Sequence, residues 1–208
     1  MKLFRKIEAA PATLGVFPGG FNPPTSAHLA LAWSALSRVD QLLFVLPRKF
    51  PHKIYAGATL PQRLDMLDRI TAGEPRFSVG VSEKGLFVEM ARECREHFPH
   101  SRLWFLCGRD AAERIVDWDY GATHSVDEML REFGLLVAPR SGVYVPPDRL
   151  QGNIDALPLT GLDAVSSTEV RQRIRNNRPW RELVPEQIAD LVAGIYSGQP
   201  ASRNALSR

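Results

Sequence analysis

From Gly15 to His28 the chain reads Gly-Val-Phe-Pro-Gly-Gly-Phe-Asn-Pro-Pro-Thr-Ser-Ala-His, an apolar strand that runs into a glycine- and proline-rich turn with a histidine opening the next helix. A helix N-terminus presents backbone N–H groups that have no intrahelical acceptor, and its dipole favours negative charge. Thr25 and His28, three residues apart, share the face of that first turn. With the amides near Gly20 and Phe21 they suit a polyphosphate. A histidine at a helix start is ordinarily a capping or surface residue; the preceding turn reverses that reading. The loop is neither Gly-x-Gly-x-x-Gly nor a Walker loop, since no Gly-Lys-Ser/Thr follows, so dinucleotide binding of that type and P-loop hydrolysis both lose support.

A second group lies far downstream, at Val165-Ser166-Ser167-Thr168-Glu169-Val170-Arg171. Ser166 and Glu169 have the spacing of a capping box, which is a sufficient structural explanation by itself. Ser167, Thr168 and Arg171 would equally present hydroxyls, amides and a guanidinium to an anion, with Arg171 one turn beyond Ser167. Local chemistry leaves cap and phosphate site evenly balanced.

The elements that must position these groups follow from hydrophobic patterning. Residues 13–17, 41–46, 76–81, 102–106 and 134–138 read as strands, several of them apolar throughout, as strands covered on both faces are. Between them 26–38, 61–71, 85–97 and 111–116 read as helices. A proline-containing connection over 141–161, with a short strand near 156–159, leads to two closing helices at 167–176 and 185–196; residues 1–10 and 199–208 read as loose ends. The alternation predicts an α/β fold: a doubly wound, mainly parallel sheet of five or six strands, helices on both faces and a C-terminal helical pair. It predicts one domain, with a core over about 13–162 and a helical segment over about 163–198. In such a sheet ligands bind beyond the carboxyl ends of the strands, and the turn after the first strand is the usual phosphate seat.

Composition narrows the classes. With 208 residues, 44% of them hydrophobic, the chain can bury one sizeable core. Apolar runs such as 42–46 are too short to cross a bilayer, and residues 1–12 carry charges where a secretory leader needs an apolar stretch. The expectation is a soluble, untargeted, cytoplasmic protein with no membrane partner. Cys94 and Cys107 lack metal-ligand spacing, which gives no support for a disulfide framework or a protein metal site and fits a reducing compartment. The net charge of +3 is mild. Arg171, Arg173, Arg175, Arg178 and Arg181 read as a solvated helix face; aromatics are not interleaved with the group as a stacking platform would want, so no nucleic acid is expected. An anionic small substrate accounts for the charge. The sequence leaves a homo-oligomer open.

Phe21 to His28 resembles the Thr/His-x-Gly-His signature of the nucleotidyltransferase superfamily, and Val165 to Arg171 resembles its second ATP-binding motif, Ile/Val-Ser-Ser-Thr-x-x-Arg. Three positions depart from that pattern: Ala27 replaces the signature glycine, while Pro18 and Gly20 replace a glycine and the hydroxyl residue of the usual Gly-Gly-Thr/Ser-Phe opening. Pro51-His52-Lys53, Arg63, Gly108-Arg109-Asp110, Trp118, Pro139-Arg140-Ser141-Gly142 and Leu183-Val184-Pro185 follow in the order of the bacterial nicotinate-mononucleotide adenylyltransferases, and the likeness runs from about Leu14 to Tyr196. The resemblance implies a Rossmann-like fold and adenylyl transfer from ATP to a pyridine mononucleotide, with Mg2+ carried mainly by the ATP phosphates. By position it implies His28, Thr25 and Arg171 as catalytic residues and Gly20, Phe21, Gly108, Asp110, Ser166, Ser167 and Thr168 with them around ATP. Asn22, Lys53, Trp118 and Arg140 are implied at the mononucleotide. The family's Ser-Tyr-Thr segment has no counterpart in Ser82 to Glu89, so nicotinamide mononucleotide stays open beside nicotinate mononucleotide. Two other readings remain: a superfamily transferase acting on pantetheine phosphate or a phospho-alcohol, and a catalytically drifted nucleotide-binding regulator.

Overall fold

The computed structural model describes residues 1–5, 10–48, 57–117, 125–139, 144–157 and 165–197. Seven strands form one sheet: β1 (Lys2–Arg5), β2 (Thr13–Pro18), β3 (Gln41–Pro47), β4 (Phe77–Ser82), β5 (Arg102–Gly108), β6 (Gly134–Ala138) and β7 (Ile154–Ala156). Their order across the sheet is β1-β4-β3-β2-β5-β6-β7. Every pairing is parallel except that of β1 with β4. The order therefore runs outward in two directions from β2 and β5, and the crevice between the carboxyl ends of those two strands is the topological switch point where α/β sheets take ligands.

The strands alternate their side chains between two apolar layers, as a sheet covered on both faces must. On β3, Leu42, Phe44 and Leu46 enter one layer while Leu43 and Val45 enter the other. The first layer is closed by α1 (Ser26–Ala35), α2 (Leu60–Thr71), α6 (Ser167–Arg175) and α7 (Ala189–Tyr196). The second is closed by α3 (Phe87–Arg95), α4 (Arg109–Asp117) and α5 (Val126–Glu132). In that second layer Phe87 stacks on Phe105 at 4.8 Å, and Phe105 meets Phe133 at 4.8 Å. Val170, Ile174, Val192 and Tyr196 sit in the same apolar layer as Leu31, Met66 and Leu67, so the C-terminal helices share the core of the helices that follow β2 and β3.

Two elements differ from the expectation. Residues 1–10 read as a loose end, yet Lys2–Arg5 is an edge strand, antiparallel to β4 with Lys2 opposite Val81, and it makes the sheet seven-stranded rather than five- or six-stranded. Arg5 pairs with Asp68 at 2.8 Å, and Leu3 packs on the second layer, contacts that a four-residue segment of mixed polarity does not advertise. Helix α5 has no counterpart among the expected elements. Its signal is a Ser125/Glu128 capping box, in which the serine hydroxyl accepts the Glu128 N–H and the carboxylate accepts the Ser125 N–H. The short strand expected near 156–159 lies at Ile154–Ala156. No helix among the described residues is long and apolar enough to cross a membrane.

Candidate functional site

The turn between β2 and α1 is shaped from the backbone outward. Gly19 donates its N–H to the Val45 carbonyl at 3.0 Å, Phe21 takes a positive φ of 43°, and the Asn22–Pro23 bond is cis. Phe21 is buried and packs edge-on to Phe17 at 5.3 Å and to Phe44 at 5.6 Å, so apolar burial holds a backbone conformation that a bulky residue seldom adopts alone. Arg63, on the apolar side of α2 beside Met66 and Leu67, reaches back to donate to the Gly20 carbonyl at 3.2 Å. It is only 4% exposed, which places a guanidinium charge behind the turn. The signal was legible: an arginine at helical spacing from Met66, Leu67 and Ile70 sits where an apolar residue belongs.

Thr25 caps α1, and His28 completes a reciprocal capping box in place of the usual glutamate. The His28 N–H donates to Thr25 Oγ1 at 3.3 Å, while the Thr25 N–H donates to His28 Nδ1 at 3.0 Å. The threonine hydroxyl also stands 2.6 Å from Nδ1. An Nδ1 that accepts an amide proton carries none itself, and this network assigns the ring proton of the neutral imidazole to Nε2. The ring packs edge-on to Phe21 at 5.2 Å and tilted against Phe17 at 6.0 Å, which fixes its plane. Capping and phosphate binding are therefore compatible: the cap spends Nδ1 and orients Nε2. Thr25 is fully buried, with its hydroxyl committed to His28.

The downstream group comes to the same turn. Ser167 donates its hydroxyl to the Pro23 carbonyl at 2.7 Å across 144 residues, and Arg171 donates Nη1 to the Asn22 carbonyl. Arg171 Nη2 also donates to Thr168 Oγ1 at 3.2 Å. Ser166 caps α6 through the Glu169 N–H at 3.1 Å. The expected box is half made, because Glu169 turns away to pair with Arg173 at 2.7 Å. In α1 and α6 the first helical N–H donors are Leu29 and Val170, so the amides of Ser26, Ala27, Ser167 and Thr168 lie ahead of both ladders. Two helix N-termini, the Arg171 guanidinium and the His28 Nε2–H donor thus converge on one turn, an arrangement that can hold a multiply charged anion.

The other expected positions are more varied. Gly108 ends β5, and Asp110 lies exposed in the first turn of α4 with its carbonyl accepting Arg114 Nε at 3.0 Å. Parallel pairing of Val16 with Phe105 carries both strands into the same crevice. Asn22 is buried, and its side-chain oxygen accepts the Ala58 N–H at 3.0 Å and the Tyr196 hydroxyl. Lys53, Trp118 and Arg140 lie outside the described residues. Cys107, beside Gly108, and Cys94 are buried and reduced; desolvation pushes both thiols up to about 12. Neither has the character of a nucleophile.

The model of the cytidylyltransferase-like family matches residues 16–173, which spans both halves of this site. The chain belongs to that family. Among its relatives, the probable nicotinate-nucleotide adenylyltransferase of Moorella thermoacetica is 30% identical over 207 residues, covering 89% of this chain and 92% of that protein. A protein of the same name from Thermus thermophilus is 32% identical over 193 residues, covering 88% and 98%. Among solved structures, the Plasmodium falciparum nicotinic acid mononucleotide adenylyltransferase complexed with NaAD superposes with a TM-score of 0.65 at 16% identity, covering 90% of this chain and 98% of that one. That likeness carries the fold, over 90% of this chain.

Proposed function

We propose that this protein is a nicotinate-nucleotide adenylyltransferase, joining the AMP moiety of ATP to nicotinate mononucleotide with release of pyrophosphate, a step of NAD biosynthesis. One observation supports the reading most: hydrogen bonds from Ser167 and Arg171 to the carbonyls of Pro23 and Asn22 unite the two N-terminal amide sets beside a His28 ring whose proton is assigned to Nε2. The curated relatives that share most of the chain's length carry the same activity in their names.

The chemistry follows from charge. A phosphate oxygen of the mononucleotide attacks the α-phosphorus of ATP, a P–O bond forms, and the bond to the bridging oxygen breaks as pyrophosphate leaves. The attacking phosphate is already ionised at neutral pH, so catalysis is positioning plus stabilisation of charge and needs no general base. His28 donates from Nε2 to the α-phosphate as charge builds there. The Thr25 hydroxyl, committed to the imidazole, orients it rather than meeting the nucleotide. Arg171 and the leading amides of α6 hold the β- and γ-phosphates, with Thr168 supporting the guanidinium. Gly108 and Asp110 border the nucleoside, and the resemblance assigns Lys53, Trp118 and Arg140 to the mononucleotide. The donors gathered here are nitrogens and hydroxyls, and no group of three or more His, Cys, Asp or Glu side chains suited to a metal stands together among the described residues. Magnesium accordingly fits as an ion held by triphosphate oxygens, where it would neutralise charge on the leaving group.

The deciding experiment measures pyrophosphate release from ATP with nicotinate mononucleotide, nicotinamide mononucleotide, pantetheine phosphate and glycerol 3-phosphate, with CTP as an alternative nucleotide. The expected order has nicotinate mononucleotide with ATP first. Nicotinamide mononucleotide belongs in the panel because α3 begins at Phe87, directly after a tight turn in which the Ser82 hydroxyl accepts the Lys84 N–H at 3.0 Å, where the family's Ser-Tyr-Thr is missing. Release with pantetheine phosphate or glycerol 3-phosphate alone would overturn the substrate, and no turnover with any acceptor would favour a binding protein.

A further inference from the structure

The side chain of Asn22 is met from two separate parts of the chain. Its oxygen accepts the Ala58 N–H at 3.0 Å, from the start of the α2 segment, and the Tyr196 hydroxyl, from the last residue of α7 and 174 positions away. Gly57 presses on the same carboxamide: a Cβ there would fall 2.4 Å from Asn22 Nδ2, and the local φ of +129° excludes ordinary side chains independently. Asn22 and Tyr196 are 7% and 3% exposed, so water does not substitute for these contacts. The backbone carbonyl of the same Asn22 receives the Arg171 guanidinium. What fixes the carboxamide therefore fixes the carbonyl on which Arg171 is aimed, and with it the turn containing Phe21.

We propose that Tyr196 is a positioning residue for adenylyl transfer: through the Asn22 side-chain oxygen it sets the backbone that receives Arg171, and so makes the C-terminal helix part of the triphosphate site without touching the nucleotide. The proposal rests on the adenylyltransferase reading above. Tyr196 contributes two separable things, a ring buried in the first apolar layer and a hydroxyl spent on Asn22. Only the hydroxyl concerns the site. Its loss leaves a buried acceptor less satisfied and lets the turn relax, which weakens the grip on the triphosphate more than it alters the reacting atoms.

The test is Tyr196→Phe, which keeps the ring and removes the hydroxyl, followed kinetically with ATP varied at saturating mononucleotide. The KM for ATP should rise about fivefold to tenfold with kcat changed less than about twofold. A double-mutant cycle with Arg171→Ala provides the readout that a structural role would not move: once Arg171 is gone, Tyr196→Phe should add little further to the ATP KM, a non-additive pair. Thermal melts place every assay well below each variant's transition. An unchanged ATP KM in Tyr196→Phe, or fully additive effects in the cycle, would overturn the proposal. Failure of the parent protein to release pyrophosphate with any mononucleotide would instead defeat the functional reading, so the two failures are distinguishable.

Discussion

At the carboxyl edge of the sheet, the α1 and α6 side is tied by hydrogen bonds that span 43, 144, 149 and 174 residues, from Arg63, Ser167, Arg171 and Tyr196. The start of α4, a strand away, is held within its own turn: Arg109 pairs with Glu113 and Arg114 with the Asp110 carbonyl, each four residues apart. Asp110 itself is exposed. The contrast matches the two jobs the fold must do. Transfer at phosphorus tolerates little error in the placement of donors, and long-range ties remove that error. Under the proposed function the start of α4 borders the nucleoside, and the printed hydrogen bonds of that turn are local, so its exposed side chains can change with less effect on the placement of donors.

The largest effect that would break the contrast is at His28. His28→Ala should fold normally and lose on the order of 100-fold or more in kcat, read by pyrophosphate release, as expected for deletion of a transition-state donor; near-normal turnover would remove the tied side from the chemistry. Next, Arg171→Ala should raise the KM for ATP about tenfold, the scale of a charge-assisted contact, with a smaller effect on the mononucleotide KM. An unchanged ATP KM would move the triphosphate elsewhere. On the locally held side, Asp110→Asn should change either KM by no more than about threefold and leave the melting temperature within a degree or two, as an exposed residue does. A collapse of stability there would show that α4 is as tightly built as α1.

The smallest expected effect concerns Cys94 and Cys107. With their thiols pushed up to about 12, iodoacetamide at pH 8 should leave both unmodified and the activity intact. Both folded values lie above the ordinary 9.0, so the stability these groups contribute is complete below about pH 9 and is lost as pH rises towards 12. Melts across that range should fall accordingly. Labelling at pH 8 would mean that the region behind Gly108 opens in solution.

Much of this was readable from residue order. The alternation of apolar runs and amphipathic stretches placed β2 to β6 within about two residues, because central strands are buried on both faces and announce themselves. The edge strand β1 was hidden because it is only four residues long, with Leu3 and Phe4 flanked by Lys2 and Arg5, and it pairs antiparallel to a strand made much later. At the site, Thr25 and His28 were legible as neighbours on one helical turn, but their reciprocal bonds, and the tautomer these assign, needed coordinates. The Asn22 contacts were not legible at all. Ala58 and Tyr196 are 36 and 174 residues away, and neither residue type signals its partner.

The distance in sequence between the two half-sites has a bearing on biosynthesis. A ribosome that has made the turn at residues 19–28 must add another 149 residues beyond Asn22 before Arg171 exists. At roughly 5–20 residues per second that is about seven to thirty seconds. Throughout that interval the nascent polypeptide holds half of the proposed nucleotide site, before Arg171 has been translated. Activity is thus expected to begin only after Arg171 has been translated and has reached the Asn22 carbonyl.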